Sequence, residues 1–146
     1  MKQSASQIKQ KLNIIWPNLF NMWIPDRNFW LPTKERLDEF VEIMKEKLKD
    51  RVWLDQISDC DDFARWLWGE ASWIRATMAY NREIPQEEWL PWSVHFVMGT
   101  KVRGMSMYHS WNLCLCSDGK VYMIDPTDRC KVWEANNKYD DIYFVI

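Results

Sequence analysis

Residues 58–74 read SDCDDFARWLWGEASWI. Ser58 or Asp59 is placed to cap a helix, and the acids of the first turn complement the positive end of its dipole. Cys60, Phe63, Ala64, Leu67, Ala71 and Ile74 then recur at i, i+3, i+4, i+7, i+11 and i+14, one stripe of a 3.6-residue helix. Trp66 and Trp73 lie beside the stripe and Trp68 widens it, so the spacing predicts a helix that is largely enclosed. Cys60 falls at its N-terminal end, on the side that faces the core.

C-terminal to this helix, after a loop at Asn81 to Pro91, the period changes. Ser93 to Arg103, Tyr108 to Ser117, Lys120 to Asp125 and Asp141 to Ile146 are short and rich in Val, Ile, Tyr and Phe, as strands are. Cys130 to Trp133 is a further candidate. Because the chain ends inside a predicted strand, no further C-terminal domain is expected. On the N-terminal side, Ile8, Leu12 and Ile15 predict an amphipathic helix within Ser4 to Ile15. A Pro-punctuated, aromatic segment follows. Thr33 then caps a helix from Lys34 to Lys49, with Leu37, Phe40, Val41, Met44 and Leu48 on its apolar face. Helices first and antiparallel strands after argue an α+β class.

Composition bounds the function. A chain of 146 residues is one domain by length. Its net charge of −2 supplies no global basic field for nucleic acid. Leu12 to Ile24 is interrupted by Asn13, Pro17, Asn18 and Asn21, so it is no membrane span, which needs about 20 apolar residues. The start of the chain lacks the parts of a signal peptide. Four cysteines (Cys60, Cys114, Cys116, Cys130) are too few for a secreted disulfide framework, and Cys114-x-Cys116 with Cys130 fits no common zinc spacing. A cytoplasmic protein without nucleic-acid or membrane partners is expected. Eleven tryptophans are more than a core needs. Those in Pro-punctuated loops (Trp23, Trp30, Trp53, Trp89, Trp92) suit a cleft or partner surface, whereas Trp66, Trp68 and Trp73 are expected in the core.

Three segments carry chemistry: Ser58 to Ala64, His109-Ser110-Trp111-Asn112 opening a strand, and Ile124-Asp125-Pro126-Thr127 closing the next. A thiol attacks as its thiolate, and a helix N-terminus favours that form. A histidine can take the proton and a carboxylate can orient the ring. Cys60 is thus the candidate nucleophile, His109 the base and later acid, and Asp125 the group that orients His109. The hairpin decides whether they meet. A two-residue turn at Asp118-Gly119 puts His109 and Asp125 on opposite faces, because side chains alternate. A three-residue loop, Ser117-Asp118-Gly119 with Gly119 left-handed, pairs Cys116 with Lys120 and sets Asp125 diagonal to His109 on one face, roughly 7–8 Å away at Cα. The three-residue loop is expected. Cys114 and Cys116 then lie on the other face, away from Cys60. His95, inside the apolar run Val94 to Met98, is expected to be structural.

These segments resemble the transglutaminase-like branch of the papain-like superfamily, where a Cys opens the central helix, a His-x-Trp strand follows and an Asp-Pro-Thr ends the next strand. They are similar to bacterial transglutaminase-like cysteine proteinases and to the protease domain of calcium-dependent fungal agglutinins. The resemblance covers Asp59 to Thr127. It implies one transglutaminase-like domain over 1–146, with 1–50 as a helical extension and 51–146 as a papain-like/transglutaminase-like core whose central helix packs on an antiparallel sheet. It implies cysteine-dependent acyl transfer through a Cys60–His109–Asp125 catalytic triad on a protein or peptide substrate: first a hydrolase of peptides or amides, a cysteine (thiol) protease, and second a transglutaminase-like acyltransferase that cross-links to an amine. Trp111, Trp53 and Gln56 are the candidate substrate-binding residues, the last two as second oxyanion donors. No cofactor is required. In the resembled proteinases acids beside the Cys bind calcium, which makes Asp59, Asp61 and Asp62 candidate ligands. The alternative is a non-catalytic binding module on the same fold, of the kind mobile elements or phages carry. It would hold a small-molecule ligand or a partner protein in a Trp-rich cleft.

Overall fold

The structure is a computed structural model that describes residues 1–52, 54 and 59–146. Asp59 caps α3 (Cys60–Tyr80) in a capping box with Asp62, so the second of the two proposed caps is used; Ser58 lies outside the described residues. Ser4 caps α1 (Ala5–Ile15) through Gln7, and Thr33 caps α2 (Lys34–Leu48) through the amide of Arg36. Each helix begins where a short oxygen-bearing side chain can take up an orphan backbone N–H.

The strands are β1 (Lys2–Ser4), β2 (Asn21–Met22), β3 (Asn28–Trp30), β4 (Val94–Val102), β5 (Met105–Leu115), β6 (Val121–Asp125), β7 (Lys131–Glu134) and β8 (Asp141–Val145). Six of them form one sheet in the order β2-β8-β4-β5-β6-β7, and β1 pairs with β3 separately. The expectation of a purely antiparallel sheet is corrected: β2 runs parallel to β8, pairing Asn21 with Phe144 and Met22 with Val145. A two-residue strand is shorter than any periodicity that could announce it.

Helices and loops cover both faces of the sheet. On one face Ile8 and Leu12 of α1 pack with Trp16, Trp111, Leu113, Leu115, Val121 and Met123. On the other, Leu37, Phe40 and Met44 of α2 and Leu67 and Ala71 of α3 pack with Cys114, Cys116, Tyr122 and Ile124. The first 50 residues thus supply an entire layer. This is why His109 to Leu115 shows no alternation of burial: every residue of the run is buried, as in a strand covered on both sides.

Two expectations fail here. The central helix is not enclosed: Trp73 is 70% exposed, and Arg65, Gly69 and Tyr80 share the open face. Width of an apolar stripe does not report how much of it finds a partner. Cys114 and Cys116 do lie on the face opposite His109, but that is the face α3 covers; both are fully buried, their sulfurs 4.0 Å apart. Among the described residues no helix is long and apolar enough to cross a membrane.

Candidate functional site

The hairpin between β5 and β6 closes through three residues. Leu115 pairs with Val121, the Cys116 amide donates to the Lys120 carbonyl at 3.0 Å, and Gly119 has φ of 81°, a left-handed value that glycine adopts without strain. The register carries down the ribbon and puts His109 and Asp125 on one face. The imidazole Nε2 and the Asp125 Oδ2 are 3.0 Å apart, and both residues are buried. Asp125 is held in turn: Thr127 donates to its Oδ1 from the amide at 3.0 Å and from the hydroxyl at 2.6 Å.

Cys60 reaches the same place from the other layer. Asn112 Nδ2 donates to the Ala64 carbonyl at 2.9 Å, which docks β5 on the first turns of α3. Two strand residues rise about 6.7 Å and four helical residues about 6.0 Å. The step from Asn112 to Ser110 therefore matches the step from Ala64 to Cys60. The thiol lies against both Ser110 and His109. The ladder between β5 and β6 begins only at Asn112–Ile124, so at His109 and Ser110 that edge of β5 is open. With Nε2 committed to Asp125, Nδ1 is the ring nitrogen left for the sulfur side. Sequence reasoning missed Ser110. Its signal is the two-residue offset from Asn112 on the face that meets α3.

The electrostatics follow from these contacts. The His109 interaction holds the Cys60 thiol below its ordinary range, against an opposing effect of partial burial, with Ser110 assisting. For His109 burial pushes down, but the Asp125 carboxylate and the Cys60 sulfur more than offset it and hold the ring up at about 9. Burial raises Asp125, yet His109 and Thr127 leave it below the usual carboxylate range. These contacts favour a thiolate facing an imidazolium over a neutral thiol and a neutral ring. Such a pair can attack an electrophilic carbon and return a proton to a leaving group.

The other expected residues divide. Trp111 is fully buried and stacks on His109, ring centroids 5.7 Å apart, so it screens the imidazole and presents no face to a ligand. Trp53 and Gln56 lie outside the described residues. Asp59, Asp61 and Asp62 each bring a carboxylate oxygen within 4.8 Å of the others. Arg65 already serves this cluster, 2.6 Å from Asp61 and 3.8 Å from Asp62. His95 is structural: it is fully buried against Ser93, and burial brings it down to about 4.

Beside the site a cleft of about 900 Å³ opens between the end of α2, Phe63 one turn along α3, and Pro126 and Thr127 just after Asp125.

No family model matches the sequence, and no curated protein matches it. Solved structures share the fold. A chain described as a PSL1a–E64 complex superposes with a TM-score of 0.73 at 19% identity, over 99% of this chain and 50% of that one. Polyporus squamosus lectin bound to a human-type influenza-binding epitope, Neu5Aca2-6Galb1-4GlcNAc, gives a TM-score of 0.70 at 19% identity, over 99% of this chain and 49% of that one. The protein thus has the fold of about half of these lectin chains. The expected resemblance to transglutaminase-like and papain-like peptidases, with its papain-like core, is corrected by this finding, since the structures of like fold are those of a lectin. The assignments to hydrolases and thiol proteases with a catalytic triad rested on that resemblance and fall with it. The contacts of Cys60, His109 and Asp125 are independent of it.

Proposed function

We propose that the protein is a ligand-binding module that holds a small ligand of carbohydrate type in the cleft beside Cys60, with Cys60, His109 and Asp125 as the polar group the ligand meets. The observation that carries this reading is the position of the half-buried Cys60 thiol, held below its ordinary range by His109, one helical turn from Phe63, which with Pro126 and Thr127 forms part of the wall of the cleft. A cleft of this volume is of the size that takes small ligands. The glycan named with the second neighbour and the E64 named with the first support a ligand role. The test is calorimetric titration of Neu5Aca2-6Galb1-4GlcNAc and its neutral disaccharide part into the wild-type chain and Cys60→Ala. Binding that survives Cys60→Ala, with the ligand recovered intact, supports a non-catalytic module. No binding across a wider glycan panel removes it.

One observation favours a second reading, acyl transfer at Cys60: the His109–Asp125 bond keeps the ring protonated beside the sulfur. The thiolate would attack the carbonyl carbon of a peptide or amide, and the imidazolium would protonate the departing amine. Water or a second amine would then displace the thioester. Amine release from a peptide-amide library, lost in Cys60→Ala, would establish this reading, and its absence would remove it.

A further inference from the structure

The lining of the cleft beside Cys60 is strongly positive, in a protein whose net charge is −2. Among the described residues Lys45, Lys49, Arg51, Arg129 and Lys131 line it, with Asp128 as the one carboxylate. Asp128 is already neutralised, 2.8 Å from Arg103 and 4.0 Å from Lys131. Lys45 and Lys49 pair with Glu42 and Glu46 on the open surface of α2, contacts that water and salt weaken readily. These two lysines also have an ordinary reason to be there, since cations complement the carboxyl end of a helix.

That reason does not extend to the opposite wall. Arg129 follows a single 3-10 turn at Pro126–Asp128 and Lys131 opens β7, both far in sequence from any α-helix C-terminus. Among the described residues neither Arg51 nor Arg129 has a carboxylate partner. Arg51 is instead laid over the Trp66 ring, 4.1 Å from its centroid. Arg129 and Cys130 both have left-handed backbones, φ of 50° and 51°, a conformation that is costly for two successive side-chain-bearing residues. Cys130 is fully buried, so the turn is anchored and holds the Arg129 backbone at the rim. Leu48 and Phe63 add an apolar surface to the same cleft.

We propose that this cleft binds a small organic anion, with its carboxylate or phosphate between Arg129, Lys131 and Arg51 and its ring or apolar body against Leu48 and Phe63. The proposal rests on the reading of the protein as a ligand-binding module and names the chemical class of the ligand. Arginine suits the task because its planar fork pairs with both oxygens of a carboxylate or phosphate.

The experiment is calorimetric titration of the full chain, at low and at high salt, with glucuronate, inorganic phosphate and glucose. Arg129→Gly places glycine where the backbone is already left-handed, so the turn survives the loss of charge. Lys131→Gln is the second variant, Lys9→Gln on α1 is the control for net charge, and thermal melting checks folding. Glucuronate or phosphate binds the wild type, glucose does not, and added salt weakens the affinity. Arg129→Gly with Lys131→Gln lowers that affinity at least tenfold, while Lys9→Gln leaves it within twofold. Binding of glucuronate alone assigns a carboxylate sugar; binding of phosphate alone assigns a phosphorylated ligand. No binding by either anion at low salt overturns the proposal, as does an affinity the double variant leaves unchanged. A neutral glycan that binds wild type and double variant alike overturns the anion cleft and leaves the binding module standing. Anion binding that never slows alkylation of Cys60 keeps the cleft and removes the thiol from the ligand site.

Discussion

Replacing Asp125 by Asn removes one charge and little volume from the pair 3.0 Å from the His109 ring. The ring stands at about 9 rather than 6.5, which corresponds to about 3 kcal/mol in favour of its charged form. Burial, the largest single influence on His109, acts in the opposite direction and stays when the carboxylate goes. In Asp125→Asn only the Cys60 sulfur is left to oppose burial, so the imidazole falls from about 9 toward its ordinary value. The Cys60 thiol then loses the imidazolium that holds it down and returns toward 9.0. At pH 7 such a thiol is ionised in about one molecule in a hundred. The assay is the second-order rate of iodoacetamide alkylation across about pH 5 to 10, assigned to Cys60 by intact mass. Cys114, Cys116 and Cys130 are buried and stay silent. The wild-type chain keeps its reactivity well below pH 9, and Asp125→Asn loses at least tenfold at pH 7. Stability carries the same signature. A raised histidine pKa contributes fully below 6.5 and the contribution is lost as pH rises through about 9. A lowered carboxylate contributes above 3.8 and loses that contribution as pH falls through its depressed value. The stability gap between wild type and variant is thus open between those limits and closes above pH 9. An unchanged alkylation profile, or a gap that widens above pH 9, refutes the reasoning.

Gly99→Ala puts a methyl 2.1 Å from the Asp141 carbonyl oxygen and 2.4 Å from the Trp111 ring. The Asp141 backbone is fixed by its pairing with β4 and the Trp111 ring is fully buried, so a loss of about 3 kcal/mol or more in urea unfolding is expected, along with slower Cys60 alkylation, because Gly99 pairs with His109. Asp140→Ala withdraws a fully buried carboxylate that accepts from the Arg103 and Asn136 amides and from Trp133 Nε1. Orphaning these donors costs about 3 kcal/mol by the same assay, and a loss under about 1 kcal/mol would show that water replaces the carboxylate. Calcium leaves the melting temperature of the wild-type chain unchanged, because Arg65 already compensates the acids at Asp59, Asp61 and Asp62. A rise in melting temperature on adding millimolar calcium to metal-free protein would show that the cation displaces Arg65.

The helices α1, α2 and α3 were legible as apolar stripes, the last two with their caps, and the strands from β4 onward as short β-branched runs. The hairpin register was legible too, because alternation allows His109 and Asp125 to share a face in only one of the two loop lengths. Less legible were contacts made by residues with no pattern of their own. β2 is two residues long, and Ser110 becomes a neighbour of Cys60 only once Asn112 docks on Ala64. The exposed face of α3 was hidden because tryptophan is apolar wherever it sits, and Trp73 has nothing packed over most of its surface. The family suggested by three short motifs was the wrong guide, since each motif is a local solution to helix capping or strand ending that unrelated chains can reach.

Local interactions alone, acting over a few residues, determined the caps, the helical stripes and the Gly119 loop, and through that loop the shared face of His109 and Asp125. Only the tertiary structure decided that the thiol at the head of α3 would meet that face where β6 stops pairing with β5. It alone gathered Arg51, Arg129 and Lys131 around one cleft. Those meetings depend on how layers distant in sequence pack, and packing distances are not written in any single segment's periodicity.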